Sequence, residues 1–280
     1  MLPSTNPRLE DIQKKILEIF KAISKICENN DLRYYAIGGT CLGAVRHKGF
    51  IPWDDDLDIA MPLQDFLKFK KIAETQLPSH LKIMDCNQAI HFNSIFMKVH
   101  DETTAFIEDF FMQYRDCYFG IYVDIMPLTG IPEEGPNLQR FLHVKKMYGR
   151  LNNLRRFPLS ERKTIKSKLI WLLFSPLRIV FPFNYFTQKW YDFIASFDFD
   201  TSNYTGYVWS ENLPKLIFDK KAFEDYVYLD FEDTKIRCPQ GWDEYLTIQF
   251  GDYMQLPTQE EQVCKHPAII DLHQSYREYK

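Results

Sequence analysis

Leu9, Ile12, Ile16, Ile19, Ile23 and Ile26 recur at steps of three and four, so one apolar stripe predicts a helix running to about Asn29. Asn6-Pro7 before it reads as an N-cap followed by proline at the first helical position. "RYYAIGG" (Arg33 to Gly39) predicts a short buried strand ending in a glycine pair. Thr40 is then expected to cap a short helix, "CLGAVRHK", that Gly49 stops. In "DLDIAM", Asp56 to Met61, polar and apolar residues alternate with the period of a strand. "PLQDFLKFKKIAETQL" predicts a surface helix, and "SHLKIMDC", "FNSIFMKVHD" and "CYFGIYVDIMPL" supply further strands. The order is that of an α/β (α+β) domain whose sheet is built mostly before residue 130.

The pattern changes after "TGIPEEGPN". Ten Lys or Arg lie between Arg140 and Lys168 against a single acid, Glu161, and the apolar, aromatic "IWLLFSPLRIVFPFNYF" follows. Residues 138–198 are therefore expected to form a helical, basic insertion. A closing region of about 204–270 carries a last helix around "GWDEYLTIQF". All 280 residues are expected to form one domain, with a core of about 8–135.

Composition changes this picture little. Hydrophobic residues at 45% and charged residues at 26% are ordinary for a globular chain, and a net charge of -4 makes no case for a nucleic-acid partner. No two of the six cysteines form a CxxC pair, so reduced thiols in a cytoplasmic protein are expected rather than a zinc knuckle. The beginning "MLPSTNPRLEDIQKK" lacks a signal peptide's apolar region, and no uncharged apolar run reaches the roughly 18 residues a spanning helix needs.

The candidate chemistry lies in "IGGTCLGAVRHKGFIPWDDDLDIAM". On a strand, Asp56 and Asp58 project to one side while Leu57 and Ile59 face the core. Paired carboxylates repel unless one is protonated or a cation lies between them. Mg²⁺, with Mn²⁺ as its substitute, suits two carboxylates plus substrate phosphates. The bland alternative is a solvated acidic turn. Gly38, Gly39 and Thr40, at a strand end before a helix, let backbone approach an anion. Arg46 and Lys48 could neutralise phosphate charge, or could simply be bases favoured at a helix C-terminus, the preferred account for His47. Asp124, inside the apolar "FGIYVDIMPL", would complete a metal or base site, unless it is a strand-end acid bonded to a loop. Lys98 is a phosphate contact or a snorkelling lysine.

"GGTCLGAVRHKGFIPWDDDLDIAM" resembles the hallmark of the LicD family, a branch of the nucleotidyltransferase-fold superfamily that includes fukutin-related proteins. "GIYVDIMPLTGIP" and "FEDTKIRCPQGWDEYLTIQFGDYMQLP" resemble its second and C-terminal motifs, so the resemblance spans roughly Tyr34 to Pro267. It implies a nucleotidyltransferase-like mixed sheet with flanking helices. The implied activity is Mg²⁺-dependent transfer of phosphocholine, or a related phospho-alcohol such as ribitol phosphate, from CDP-choline or another CDP-alcohol. The implied acceptor is a hydroxyl of a cell-surface glycan such as teichoic acid or lipopolysaccharide, with release of CMP. The family's metal-binding acids fall on Asp56, Asp58 and Asp124. One departure is "KVHDETTAFIE", where His100 replaces an arginine common in relatives. Two other functions share these residues: a nucleotidyltransferase attaching NMP to its acceptor, and a catalytically inactive nucleotide-binding module. The basic tract and the rings after it suit a lipid-linked glycan acceptor and a peripheral contact with the inner face of the membrane; the alternative is that Trp171 to Phe186 pack into the core while the basic residues hold an acidic glycan or are solvated.

Overall fold

The computed structural model describes residues 7–210, 212–264 and 268–279. Helix α1 (Leu9–Asn29) buries the predicted stripe, Ile12, Ile16, Ile19, Ile23 and Ile26. It starts at Leu9 with Arg8 at the cap position, so Pro7 is not its first helical residue; Asn6 lies outside the described residues. β1 (Tyr35–Ala36), α2 (Gly38–His47), β2 (Asp58–Pro62), α3 (Leu63–Gln76), β3 (Leu81–Met84), β4 (Met97–Asp101), β5 (Ala105–Glu108) and β6 (Tyr122–Ile131) follow. After them come α4 (Pro136–Arg156), α5 (Ile165–Phe174), α6 (Leu177–Val180) and α7 (Tyr185–Ile194). The chain closes with β7 (Tyr204–Gly206), β8 (Ile217–Asp219), β9 (Tyr226–Phe231), β10 (Thr234–Pro239), α8 (Trp242–Phe250) and β11 (Ala268–Asp271).

The main sheet runs β1-β2-β6-β4-β3, with β7 pairing β6 and β8 pairing β7. Only β2 and β6 pair in parallel within it, so the sheet is mixed. All ten residues of β6 are buried, as expected of a central strand covered on both faces. β9–β10 form a hairpin, and β11 pairs with β5 across more than half the chain.

The helical region 136–194 is only partly what its composition suggests. Phe141 packs edge-on against Phe197 at 5.0 Å and beside Trp190 and Phe193, tying α4 and α7 to the core. Arg156 is completely buried and donates to the carbonyls of Cys86, Ala89, Ile90 and Phe92. One member of the basic tract is thus an internal clamp on the loop after β3. Burial accordingly pulls its guanidinium below the usual arginine range. Among the described residues, no helix is long and apolar enough to cross a membrane.

Candidate functional site

A cleft of about 590 Å³ opens between one side of α2, the loop before β2, and the segment after α8. Gly39, Arg46, Trp53, Asp54, Asp56 and Asp58 line one side, while Phe250, Tyr253, Leu256 and Glu261 are among those closing the other. The strand begins at Asp58 rather than Asp56, because pairing with β6 starts only there. The lead-in is nevertheless held straight: the Asp124 amide donates to the Leu57 carbonyl at 3.0 Å. Leu57 is buried, and Asp56 and Asp58 both reach the cleft, as the alternation requires.

Register assembles the charged centre. Asp58 is the partner of Asp124 across β2–β6, and Asp124 is the partner of Lys98 across β6–β4. Side chains at paired positions share a face, so three residues 26 to 66 apart in sequence stand in a row. Lys98 is buried and ion-paired to Asp124, with 2.9 Å to Oδ1 and 3.0 Å to Oδ2. Its ammonium also lies 3.4 Å from the centre of the Tyr122 ring. Lys98 is therefore the counter-ion of Asp124 and not a lysine reaching into the cleft. Burial pushes the Asp124 carboxyl up to about 6 despite Lys98, which works in the opposite direction. Asp58 is held well above the usual carboxylate range, by burial first and then by Asp56 and Asp124, with Lys98 again opposing.

The glycine turn differs from its expected use as a phosphate cradle. Gly38 has φ +55°, a conformation that favours glycine, and its N–H donates to the Tyr245 hydroxyl at 2.6 Å. Thr40 is not the N-cap; Ile37 holds that position and Thr40 lies in the first turn. Its Oγ1 instead accepts the Asp58 N–H at 2.8 Å, tying α2 to the start of β2. Of the three, only Gly39 faces the cleft. A Cβ there would meet the Asp54 carboxylate at 2.6 Å, so glycine lets that carboxylate approach the backbone where it does. Asp54 thus stands at the N-terminal end of α2, where an anion is favoured. Asp54 at that helix end and Asp55, which accepts from the Cys264 thiol at 2.9 Å, thus have environments of their own, while Asp56 and Asp58 face the cleft together.

Arg46 lines the cleft, but its guanidinium donates to the carbonyl of Tyr253 at 2.8 Å and, through Nε, to the His47 ring at 3.0 Å. It fastens the segment after α8 over the site. Lys48 is exposed, caps α2 in the left-handed conformation, and is not among the residues lining the cleft. The β9–β10 turn grips this corner: the Glu232 N–H donates to the Lys48 carbonyl at 2.8 Å, and its side chain accepts the Phe50 N–H at 3.0 Å. His100 is buried away from the cleft and accepts the Gly120 N–H through Nδ1 at 3.2 Å, a structural bond that an arginine could not make.

Residue-by-residue reading missed Tyr245, Tyr207 and Trp53. The two tyrosine hydroxyls are hydrogen-bonded to each other beneath Gly38, and burial pushes both well above the usual phenol range. The available signal was "GWDEYLTIQF", which places Tyr245 and Gln249 one helical turn apart.

The donor set can be tested against a divalent cation. Among the described residues, no three His, Cys, Asp or Glu come together closely enough to hold a metal ion, and Asp124 is committed to Lys98. Asp124 stands beside the Asp56 and Asp58 pair as the acid that is ion-paired to Lys98. Asp56 and Asp58 on the cleft are an all-oxygen pair in which Asp56 helps hold the Asp58 carboxyl above its usual range, and such a pair fits a hard cation whose remaining ligands come from phosphate and water.

Residues 31–139 match the model of the LicD/FKTN/FKRP nucleotidyltransferase domain family. The chain is 26% identical over 267 residues to the lipopolysaccharide cholinephosphotransferase LicD of Haemophilus influenzae, covering 92% of this chain and 96% of that protein. It is 32% identical over 116 residues to an uncharacterized protein of Rickettsia typhi, covering 38% of this chain and 37% of that one. A segment of 52 residues is 36% identical to human ribitol 5-phosphate transferase FKRP, covering 19% of this chain and 10% of that protein. With the mixed sheet and the acidic cleft, these matches identify residues 31–139 as the part of the chain that corresponds to the LicD-family nucleotidyltransferase domain.

Proposed function

We propose that the chain transfers a phospho-alcohol, by preference phosphocholine, from a CDP-activated donor to a hydroxyl of a cell-surface glycan, releasing CMP. The observation that carries this is the cleft pairing Asp56 and Asp58 with Asp124 one strand away. The likeness to a cholinephosphotransferase along nearly the whole chain supports the alcohol and the glycan.

Asp56 and Asp58 would hold Mg²⁺, which when bound neutralises charge on the donor's phosphates. Gly39 leaves room for the Asp54 carboxylate at the cleft wall, and Arg46 keeps the segment after α8 over the site. Asp124, poised near 6 and beside Asp58, has the proton affinity of a general base for the attacking hydroxyl. Lys98 keeps that carboxyl ionised, and Tyr122 shields the pair from water.

The test is incubation with a panel of CDP-alcohols, a glycan acceptor and Mg²⁺, with CMP release and the acceptor's mass as readouts. A phosphocholine-tagged acceptor with CMP is the expected product. A nucleotide-tagged acceptor would make the chain a nucleotidyltransferase, and donor binding without turnover would make it an inactive module.

A further inference from the structure

Helix α5 carries its side chains the wrong way round for a helix of a water-exposed domain. It buries no residue, and its large aliphatics are the exposed ones: Ile165 at 80%, Leu169 at 62%, Leu172 at 53% and Leu173 at 73%. At 100° per residue these four form one stripe, with Lys166 and Lys168 on its two edges. The opposite side attaches the helix to the protein. Trp171 donates its indole N–H to the Phe157 carbonyl at 3.0 Å, and Thr164 and Ser167 close a reciprocal capping box at the N-terminus. In α6 the aliphatics continue outward, with Ile179 at 89% and Val180 at 68% exposed. Beside the stripe, a groove of about 640 Å³ between α4 and α5 has Lys146, Arg150 and Lys166 among its walls, along with Ile170 and Phe174.

We infer that this face of α5 and α6 rests on an anionic lipid surface. Aliphatic side chains enter the acyl boundary, the edge lysines stand at headgroup level, and the basic groove takes a headgroup phosphate. Charge selects this occupant. From residue 135 to residue 191 the only acid is Glu161, so the patch complements a negative surface and nothing in it balances a second basic one. Two copies meeting through this face about a two-fold axis would set the same lysines against each other. The lipid contact stands on this surface alone. That the glycan acceptor is lipid-linked rests in addition on the transfer activity proposed above.

Vesicle flotation with the full chain tests it. Phosphatidylcholine vesicles containing phosphatidylglycerol should carry the protein at low salt, less so as salt rises, and phosphatidylcholine alone should carry little. Lys163→Gln, Lys166→Gln and Lys168→Gln should each lower partition about fivefold, and together about a hundredfold. Leu169→Glu with Leu173→Glu should lower it at least a further hundredfold or so. All five positions are exposed, so these variants should melt like the wild type and transfer to a soluble acceptor at the wild-type rate. Absence of flotation at low salt, or unchanged flotation of the double leucine variant, overturns the inference. So does a wild-type oligomer that the leucine variant disperses without any vesicle binding, which would assign the face to a second copy. Flotation needs no turnover, so its failure leaves the transfer proposal standing, and the reverse.

Discussion

Lys98→Met removes the cation that is ion-paired to a buried carboxylate. Lys98 is 4% exposed, its ammonium lies 2.9 Å from Asp124 Oδ1, and the Tyr122 ring covers it at 3.4 Å. Removing one partner of such a pair costs about 3–5 kcal/mol, because the other charge stays buried. Part of that is the ring contact, about 2 kcal/mol when desolvated, of which the methionine sulfur recovers roughly half. The remainder depends on pH. Asp124 is already pushed up to about 6 by burial, and loss of Lys98 raises it further. A carboxyl whose folded value exceeds its unfolded one keeps its proton on folding, so the native state loses stability as pH rises above the unfolded value of about 3.9. The cost should therefore be about 3–5 kcal/mol at pH 8 and only about 1–2 kcal/mol at pH 4. Urea denaturation at the two pH values measures it, and Lys98→Met with Asp124→Asn should regain most of the loss at the higher pH. Equal costs at both pH values, or no recovery in the double variant, would refute the account of Lys98 as counter-ion.

Asp56→Asn and Asp58→Asn should each lower turnover at least about 10²–10³-fold. Asp58→Asn should also raise the melting temperature of the metal-free protein near neutral pH and leave it unchanged in acid, where the native carboxyl is already protonated. Added Mg²⁺ should stabilise the wild type but not that variant in a thermal melt. Asp124→Asn should be nearly as damaging to turnover; unchanged Mg²⁺ affinity by calorimetry would identify it as the base, and weakened affinity as a ligand. Tyr245→Phe leaves the buried Gly38 N–H without its acceptor and should cost about 1–3 kcal/mol in urea denaturation, with no cost meaning that the turn satisfies itself.

Much of the fold was legible because its signals are local. The stripe of α1, the alternation of β2, the apolar run of β6 and the last helix each declare themselves within a few turns or pleats. The pairing of β5 was not: it finds β11 across more than half the chain, and no pattern in "AFIE" names its partner. Composition marked out the helical stretch after β6, but not that Arg156 points inward while Leu173 points out. That depends on which face of each helix meets the core.

The same division runs through the site. Residue order alone determined that Asp56 and Asp58 share a side and that a glycine pair precedes them, because both follow from chain geometry over a few residues. Which groups then meet was decided by tertiary structure. Strand register, set by burial of Val99, Val123 and Ile59 rather than by any charge, puts Lys98 on Asp124 and Asp124 beside Asp58. Packing of α8 beneath α2 gives the Gly38 amide to Tyr245, and the turn of the chain before β2 brings Asp54 to Gly39. An amide or an ammonium has few bonds to make, and the first partner that packing brings within reach withdraws it from the substrate.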